Sequence, residues 1–269
     1  VGYMIRRLCL MINFKKILMS ILSLLMITTM VGCDTPKTDW SKLSDEEKID
    51  KVLQSFERMK NGEIHIVGSM HADVIDPKEG EDPVYKYETE FTGTFELRPD
   101  HVSGKYSFNG NVKDYYCDRM YSYEKNETDT QWTTSNYSIV EYNQPIGIHQ
   151  DVILYFETIK DQLTLSEDSD TITVHYETDD IDFLYANDVQ LIWSSLGSLG
   201  FSSNDKSGKL EIDLKMSKDN GMPVSVTITG VRDSDFYKNQ KYVSEVTYSK
   251  VNSGIHVDIP SGIDNPIYQ

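Results

Sequence analysis

Basic residues are scarce in this sequence. It has 26 lysines and arginines against 43 aspartates and glutamates, which gives a formal net charge of −17 at pH 7. A surface of that sign repels phosphate backbones and anionic lipid headgroups, so the composition argues against nucleic-acid binding and against polybasic membrane binding. Such a surface can attract a cationic protein partner, although it is more often only a well-solvated exterior.

Cysteine is also scarce, with three in the chain: Cys9, Cys33 and Cys117. The first two fall in or at the end of an N-terminal leader, which leaves Cys117 alone in the body of the chain. A single cysteine cannot form a disulfide within the domain. The core must therefore be stabilised by apolar burial, and we expect Cys117 to be a half-buried thiol rather than a nucleophile.

Motifs of the common enzyme and metal-site classes are missing. The chain has no G-x-S-x-G elbow, no H-E-x-x-H, no phosphate-binding loop and no C-x-x-C pair. Its six histidines are scattered. The sequence therefore predicts a protein that is not an enzyme, with no catalytic residue, no metal site and no cofactor. A secreted enzyme is the weakest of the alternatives.

Three acidic patterns allow a chemical interpretation. Glu167–Asp170 and the triplet Asp179, Asp180 and Asp182 could hold calcium, but they lack the glycine and the terminal glutamate of an EF-hand loop. Glu88 and Glu90 share one strand face. A pair of carboxylates is the catalytic set of a glycosidase, so the pair allows that interpretation. Simple alternation on an exposed strand explains the same pair.

The long apolar run of the chain lies near its N-terminus. Ile17–Val31 has only serine and threonine as polar side chains, and it follows Lys15 and Lys16. A basic segment followed by about 15 apolar residues is typical of a secretory signal, and the run is shorter than the ~20 residues of a membrane-spanning helix. Because Met11 opens a natural signal, residues 1–10 are predicted to lie upstream of the true start.

The end of the apolar run resembles a bacterial lipobox at Val31, Gly32 and Cys33, with methionine at position 30 where leucine is usual. The resemblance implies that the Cys33 thiol is acylated and that residues 1–32 are a signal region, removed from the mature protein. The lipid would anchor the protein at the extracytoplasmic face of the cell membrane. A cleaved signal with an incidental cysteine is the alternative. Residues 33–43 are predicted to be a lipidated tether to a single domain at 44–269.

The domain is predicted to open with a helix. Ser44-x-x-Glu47 forms a capping box, and the acidic pair Asp45 and Glu46 favours the positive end of a helix. Asn61-Gly62 ends it. The apolar residues between these signals recur at helical spacing: Ile49, Val52, Leu53, Phe56 and Met59.

The hydrophobic period then changes to two, which predicts strands at 64–74, 85–97, 102–108, 115–123 and 131–137. Asn109-Gly110 indicates a hairpin between two of them. Strands with one apolar and one polar face are typical of an antiparallel sheet covered on a single side.

Helical spacing returns at 152–163 and 185–199, on either side of a short strand at 172–176. A hairpin at 210–228 turns at Asp219-Asn220-Gly221, and if that turn is of type I′, Asn220 or Gly221 has positive φ. Further strands are predicted at 242–248 and 255–259. This order predicts an α+β fold, in which a curved antiparallel sheet, an open half-barrel, wraps over two to three helices.

The order of elements resembles the LolA-like lipoprotein fold of the LppX and LprG types over about residues 45–262. The similarity is best at the end of the chain, in Tyr248-Ser-Lys-Val-Asn252 and Ile255-His-Val-Asp-Ile-Pro260. In that fold a half-barrel closes over helices and leaves an apolar cavity, which several members use for lipids or acyl chains. The resemblance supplies no ligand motif at the level of single residues.

The resemblance implies a cell-envelope lipoprotein that binds a hydrophobic ligand or an acyl chain between sheet and helices. The aromatic residues that would line such a site are Tyr87, Phe91, Phe95, Tyr106 and Phe108. A packed core is the alternative interpretation of these residues and of Tyr123, since buried sheet faces are usually filled. The alternative function is a protein–protein interaction module on the cell surface that engages a cationic envelope partner through its acidic face.

The lipobox assignment predicts the effect of Cys33→Ala. We expect this variant to lose acylation and membrane anchoring but to keep its folded domain, because Cys33 precedes a polar segment without apolar periodicity. Metabolic labelling with a palmitate analogue and a thermal melt measure the two properties. Undiminished label in the variant would overturn the assignment.

Overall fold

The computed structural model describes residues 38–97, 100–118, 121–135, 150–180, 207–264 and 266–268. Residues 33–37 of the predicted tether, which include Cys33, and the predicted helix at 185–199 lie outside these ranges. The described residues from Trp40 onward belong to one compact unit. Among the helices that the structure describes, none combines the length and the hydropathy that a membrane crossing requires.

The first helix, α1 (Asp45–Glu57), confirms the predicted capping box. The Glu47 amide donates to Ser44 Oγ at 3.2 Å, and the Ser44 amide donates to Glu47 Oε2 at 2.8 Å. These reciprocal bonds satisfy two backbone donors that a helix N-terminus otherwise leaves open. The apolar stripe of α1 is buried.

The strands before the second helix are β1 (Asn61–Val74), β2 (Val84–Leu97), β3 (Asp100–Phe108), β4 (Asn111–Cys117), β5 (Ser122–Asn126) and β6 (Thr133–Ser135). Helix α2 (Gln150–Thr158) and a 3-10 turn at Lys160–Gln162 follow. The later strands are β7 (Thr164–Glu167), β8 (Thr171–Thr178), β9 (Ser207–Ser217), β10 (Pro223–Asp233), β11 (Tyr237–Ser249) and β12 (Ile267–Tyr268).

The described strands form one sheet in the order β12-β6-β5-β4-β3-β2-β1-β11-β10-β9-β8-β7. Neighbours in it are antiparallel, apart from the parallel pair β12 and β6. The first strand therefore lies in the middle, between β2 and β11. A large antiparallel sheet accompanied by helices agrees with the predicted α+β class.

One face of the sheet, which we call the inner face, carries the core. In β1 the side chains that point to it, Ile64, Ile66, Met70 and Ala72, are all buried. Helix α1 contacts α2 and strands β8, β9 and β10. Phe156 of α2 packs on Tyr176 of β8, with ring centroids 5.3 Å apart. The helices thus cover the β8–β10 part of the inner face.

A smaller cluster lies on the opposite, outer face at the other end of the sheet. It consists of Tyr116, Trp132, Val257 and Ile263. Tyr116 and its neighbour Cys117 belong to different clusters because successive strand residues point to opposite faces. Cys117 is a fully buried thiol, deeper than the half-buried position expected.

Residues 255–259 do not form the predicted strand. Their alternating apolar pattern misled the prediction, because of its three apolar residues only Val257 is buried while Ile259 is 61% exposed. The backbone here bonds to side chains instead: the Ile255 amide donates to Asn61 Oδ1 and the Val257 amide to Glu96 Oε2. The edge strand of this region is β12, further along the chain.

The predicted single strand at 115–123 is also wrong, since it is the two arms of the hairpin β4–β5. Cys117 and Ser122 are its last paired residues. The Asp118 amide donates to the Tyr121 carbonyl at 3.0 Å, and the Tyr121 amide donates to Asp118 Oδ1 at 2.9 Å. A tyrosine-rich composition on both sides concealed this turn.

The hairpin at Asn109-Gly110 is confirmed. Both residues have positive φ, at 48° and 81°, as type I′ requires. The β9–β10 hairpin is also confirmed, but its turn is not of type I′. Gly221 has φ 68° while Asn220 is not left-handed, and the Ser217 amide bonds to the Met222 carbonyl across a longer loop.

Two glycines face each other at the centre of the β2–β3 pair. Gly93 and Gly104 are register partners, and the ring of Phe91 lies directly over both. A Cβ on Gly104 would lie 2.7 Å from Phe91 Cζ and 2.3 Å from the Thr92 carbonyl oxygen. The glycines make room for a ring that a larger residue would displace.

We therefore expect Gly104→Ala to lower the free energy of unfolding by about 1–3 kcal/mol, the usual range for overpacking a filled site. Thr92→Ala, an exposed change on the opposite face of β2, is the control. Chemical denaturation of both variants measures the difference. Equal midpoints would mean that the Phe91 ring does not lie over the glycine pair.

Candidate functional site

Four aromatic side chains cluster at the Val84 end of the inner face, and we call them the aromatic mouth: Tyr85, Tyr87, Phe108 and Tyr237. Tyr87 stacks on Phe108 with centroids 5.7 Å apart and an interplanar angle of 29°. Tyr85 joins Tyr87 to Tyr237, at 6.2 and 5.9 Å. Strand register creates this cluster, because β1 to β3 and β11 bring their ends to one place.

The side chains of the aromatic mouth differ strongly in their exposure to solvent. Tyr85 and Phe108 are 45% and 42% exposed, whereas Tyr87 between them is 8% exposed. Partly exposed aromatic rings that lead to a buried ring offer apolar contact both to solvent-side groups and to the core. Large exposed aromatic groups at one place are typical of binding surfaces.

Further along the same face, the rings of Phe91 and Phe95 are fully buried. Phe91 meets Tyr115 edge-on at 5.9 Å, and Phe95 meets Tyr248 at 6.1 Å. Tyr248 in turn meets Phe56 of α1 at 6.1 Å. This row connects the mouth to the first helix.

The five aromatic residues singled out by sequence all point to the inner face, but they occupy two environments. Tyr87 and Phe108 belong to the mouth, and Phe91 and Phe95 belong to the packed interior. Tyr106, the register partner of Phe91, is half-buried between them. Tyr123 lies elsewhere, with Tyr116 on the outer face.

A polar group that the sequence reasoning missed lies just inside the mouth. Thr89 is 3% exposed, and within the described residues its Oγ1 has no hydrogen-bond partner. It stands between Tyr87 and Phe91 on the apolar parity of β2, so the break in that alternation was a visible signal. An unsatisfied buried hydroxyl costs about 1–3 kcal/mol relative to a bonded one.

Other polar side chains occupy the same depth in β10 and β11. Gln240 is 3% exposed; its Oε1 accepts from Arg232 Nε at 2.7 Å, and its Nε2 lies 3.8 Å from Met70 Sδ. Arg232 and Gln240 are register partners, and Met70 is opposite Tyr242 in the neighbouring pair. The interior behind the mouth is therefore mainly apolar with a few directed polar groups, as in small-molecule sites.

Three tyrosines of this face are held in the neutral form. Burial raises the pKa of Tyr87, of Tyr106 and of Tyr115, and at Tyr115 the Cys117 thiol adds to the effect. A phenol with a raised pKa donates a hydrogen bond at neutral pH and does not act as a base. The site can bind by contact and hydrogen bonding, with no base arranged for proton transfer among these phenols.

In the acidic segment Glu167–Asp170, the carboxylates of Glu167 and Asp168 already have partners within the protein. Asp168 Oδ1 accepts the amides of Asp170 and Thr171 at 2.8 and 2.7 Å, and these bonds lower the pKa of Asp168. Lys218 and Lys48 each lie 2.8 Å from Glu167 and lower its pKa. Both acids thus already have donors, which removes the reason for a calcium ion here.

The remaining carboxylate patterns gather no metal-ligand set. Across the described residues, no three histidine, cysteine, aspartate or glutamate side chains are arranged to hold a metal ion. Glu90 pairs with His65 at 2.9 Å on the exposed outer face. Asp182 of the second acidic triplet lies outside the described residues.

Comparison with known proteins adds little. No known protein family matches the chain, and no curated protein does. Among solved structures, a beta-barrel-like protein of domain of unknown function DUF1849 from Brucella abortus aligns with 71% of this chain and 99% of its own, at 7% identity and a TM-score of 0.25. Similarity at that level carries no argument about activity.

The unsatisfied hydroxyl predicts that Thr89→Val stabilises the protein in the absence of ligand. We expect the free energy of unfolding to rise by about 1–3 kcal/mol, because the methyl group keeps the shape and removes the desolvated oxygen. Thr92→Val on the exposed face of the same strand is the control, with a change within about 0.5 kcal/mol. A destabilised Thr89→Val variant would show that the hydroxyl has a partner.

Proposed function

We propose that this protein is a non-enzymatic lipoprotein of the bacterial cell envelope that binds a hydrophobic ligand or an acyl chain. The ligand enters past the aromatic mouth and lies along the inner face, between the sheet and the helices. In this proposal the sheet is the open half-barrel of a LolA-like fold. The observation that carries it is the aromatic mouth itself, a partly exposed cluster that continues into a buried aromatic row.

Shape and contact support an elongated apolar ligand. Tyr85 and Phe108 present apolar ring surface to solvent, and Tyr87 continues that surface inward. An acyl chain loses water along its whole length when it lies on such a row, at about 0.8 kcal/mol for each buried CH₂ group. No charged group is needed for that gain.

The polar groups behind the mouth support a ligand with a hydrogen-bonding group near its chain. Thr89 Oγ1 is buried and lacks a partner in the described structure. A ligand carbonyl or hydroxyl would satisfy it and so recover the cost of its burial. The ligand class is therefore an acyl chain with an ester, amide or acid group.

The anchor completes the proposal. Acylated Cys33 would hold the protein at the extracytoplasmic face of the membrane, through a short tether. The Trp40 indole donates to the Lys218 carbonyl at 2.9 Å and its ring lies 5.9 Å from Lys51 Nζ, so the chain is docked from residue 40 onward. This docking point is next to the β9–β10 turn, level with the Glu63 end of β1, so the tether would join the domain at the end of the sheet opposite the mouth.

A cationic protein partner remains the second candidate, on the strength of the net charge of −17. The acidic segment Glu167–Asp170 is less available to such a partner than the sequence predicted, because lysines and turn amides already bind Glu167 and Asp168. The ligand function is favoured for that reason.

The test compares two variants with matched exposure on opposite faces of the sheet. Phe108 in the mouth is 42% exposed and Val67 on the outer face is 43% exposed. We expect Phe108→Ser to weaken binding of a fluorescent fatty-acyl probe about tenfold, equivalent to about 1.4 kcal/mol, and Val67→Ser to leave it unchanged. Both variants should melt close to the wild type.

Native mass spectrometry of the purified protein supplies an independent measurement, as a co-purified lipid would appear as added mass. If the wild type binds no probe and carries no lipid, the ligand function is wrong and the cationic partner becomes the leading candidate. Equal weakening by Phe108→Ser and Val67→Ser would place probe binding outside the mouth.

A further inference from the structure

The outer face of the sheet carries a row of basic side chains. Strand register places His71 of β1 directly opposite Lys86 of β2 on one side and Lys241 of β11 on the other. Neighbouring strands are about 4.8 Å apart, so three basic residues occupy one line across about 10 Å. We call Lys86, His71 and Lys241 the basic row.

The two ammonium groups of the row, Lys86 and Lys241, lie on the same face with one strand between them. Charges of like sign that gather on one face of a sheet repel each other unless a counter-ion lies between them. Within the described residues, no carboxylate lies within ion-pair distance of Lys86, His71 or Lys241. About half of the other lysines that the structure describes have a carboxylate partner, such as Lys250 on Glu63 at 2.7 Å.

The nearest acidic residues along these strands are Asp73 and Glu88. Asp73 accepts a hydrogen bond from Asn239 Nδ2 at 2.8 Å and is the register partner of Lys238. Glu88 is one step further along the same face of β2 and lies opposite Ser69. Along the strands a carboxylate thus lies on either side of the basic row, and none lies within the row itself.

A groove lies over the basic row. It has a volume of about 640 Å³, and its lining includes all three basic residues together with Ser69, Glu88 and Val243. Ser69 and Val243 are small neighbours in β1 and β11, which leave space between the longer side chains. Most of the residues that line the groove belong to the outer face, opposite the aromatic mouth. Met70 and Tyr87, whose strand parity is that of the inner face, also contribute to the lining.

We propose that this groove binds a phosphate group. Two flexible ammonium groups on the flanking strands converge on an anion above the imidazole of His71, which supplies a third N–H donor. A phosphate monoester fits better than a carboxylate, because it carries close to two negative charges and three acceptor oxygens to share among three donors. The site is independent of the acyl-ligand function.

The experiment titrates inorganic phosphate into the full chain by calorimetry at low ionic strength. We expect measurable binding, about threefold weaker in Lys86→Gln or Lys241→Gln and about tenfold weaker in the double variant, as expected for exposed charge pairs. Glu88→Gln should act in the opposite direction and tighten binding, because it removes the nearest carboxylate from the lining. These surface changes should leave the melting temperature almost unchanged.

Lys60→Gln is the matched control, since it changes the net charge equally at an exposed position after α1. A parallel arm measures sedimentation with phosphatidylcholine vesicles, with and without phosphatidylglycerol. Binding of inorganic phosphate that the double variant loses supports a site for a free phosphate compound. Loss confined to the phosphatidylglycerol arm supports a lipid headgroup as the source of the phosphate.

Two outcomes would overturn the proposal. One is the absence of binding in both arms for the wild-type chain. The other is an equal loss in Lys60→Gln and in Lys86→Gln or Lys241→Gln, because binding would then follow net charge and not the basic row.

Discussion

The pairing of β1 with β11 is the interaction on which the rest of the structure depends. It joins Glu63 to Ser249 and continues to Val74 and Tyr237, so it connects the beginning of the domain to its far end. On one side of this seam the sheet runs from β2 to β6, and on the other from β11 back to β7. Without the seam there would be two separate sheets, each with an exposed edge.

Both proposed binding surfaces lie across that seam. The aromatic mouth needs Tyr85 and Tyr87 from β2, Phe108 from β3 and Tyr237 from β11. The basic row needs β2, β1 and β11 in one register. A shift by one residue between β1 and β11 would send each side chain to the opposite face, and so would separate both sets at once.

Sequence reasoning found what repeats within a single element. The alternation of β1 and β2, the capped helix α1 and the Asn109-Gly110 turn follow from local spacing and were predicted. The turn after Cys117 and the irregular segment at 255–259 depend on which side chains bond to the backbone there, and alternation alone cannot reveal that. Ile255, Val257 and Ile259 alternate like a strand. The amides of Ile255 and Val257, however, donate to the side chains of Asn61 and Glu96, which are far away in the chain.

The candidate sites divide in the same way. Five aromatic residues were predicted to share a face because parity along β2 and β3 is a local property, and Thr89 could have been noticed as the polar residue on that parity. The basic row has no such signal, because Lys86, His71 and Lys241 are unrelated by spacing and meet through two registers. The net charge of the chain pointed away from it, since an average over the sequence does not describe where the charges gather.

The seam also has a consequence for synthesis. Strand β1 is among the first parts of the domain to be made and β11 is the last long strand, so the backbone donors and acceptors on one side of β1 have no partner until almost the whole chain exists. A ribosome releases about 5–20 residues each second, so that edge stays open for on the order of ten seconds or longer. During this interval the chain cannot complete its sheet, and the open edge of β1 is a place where another strand can pair.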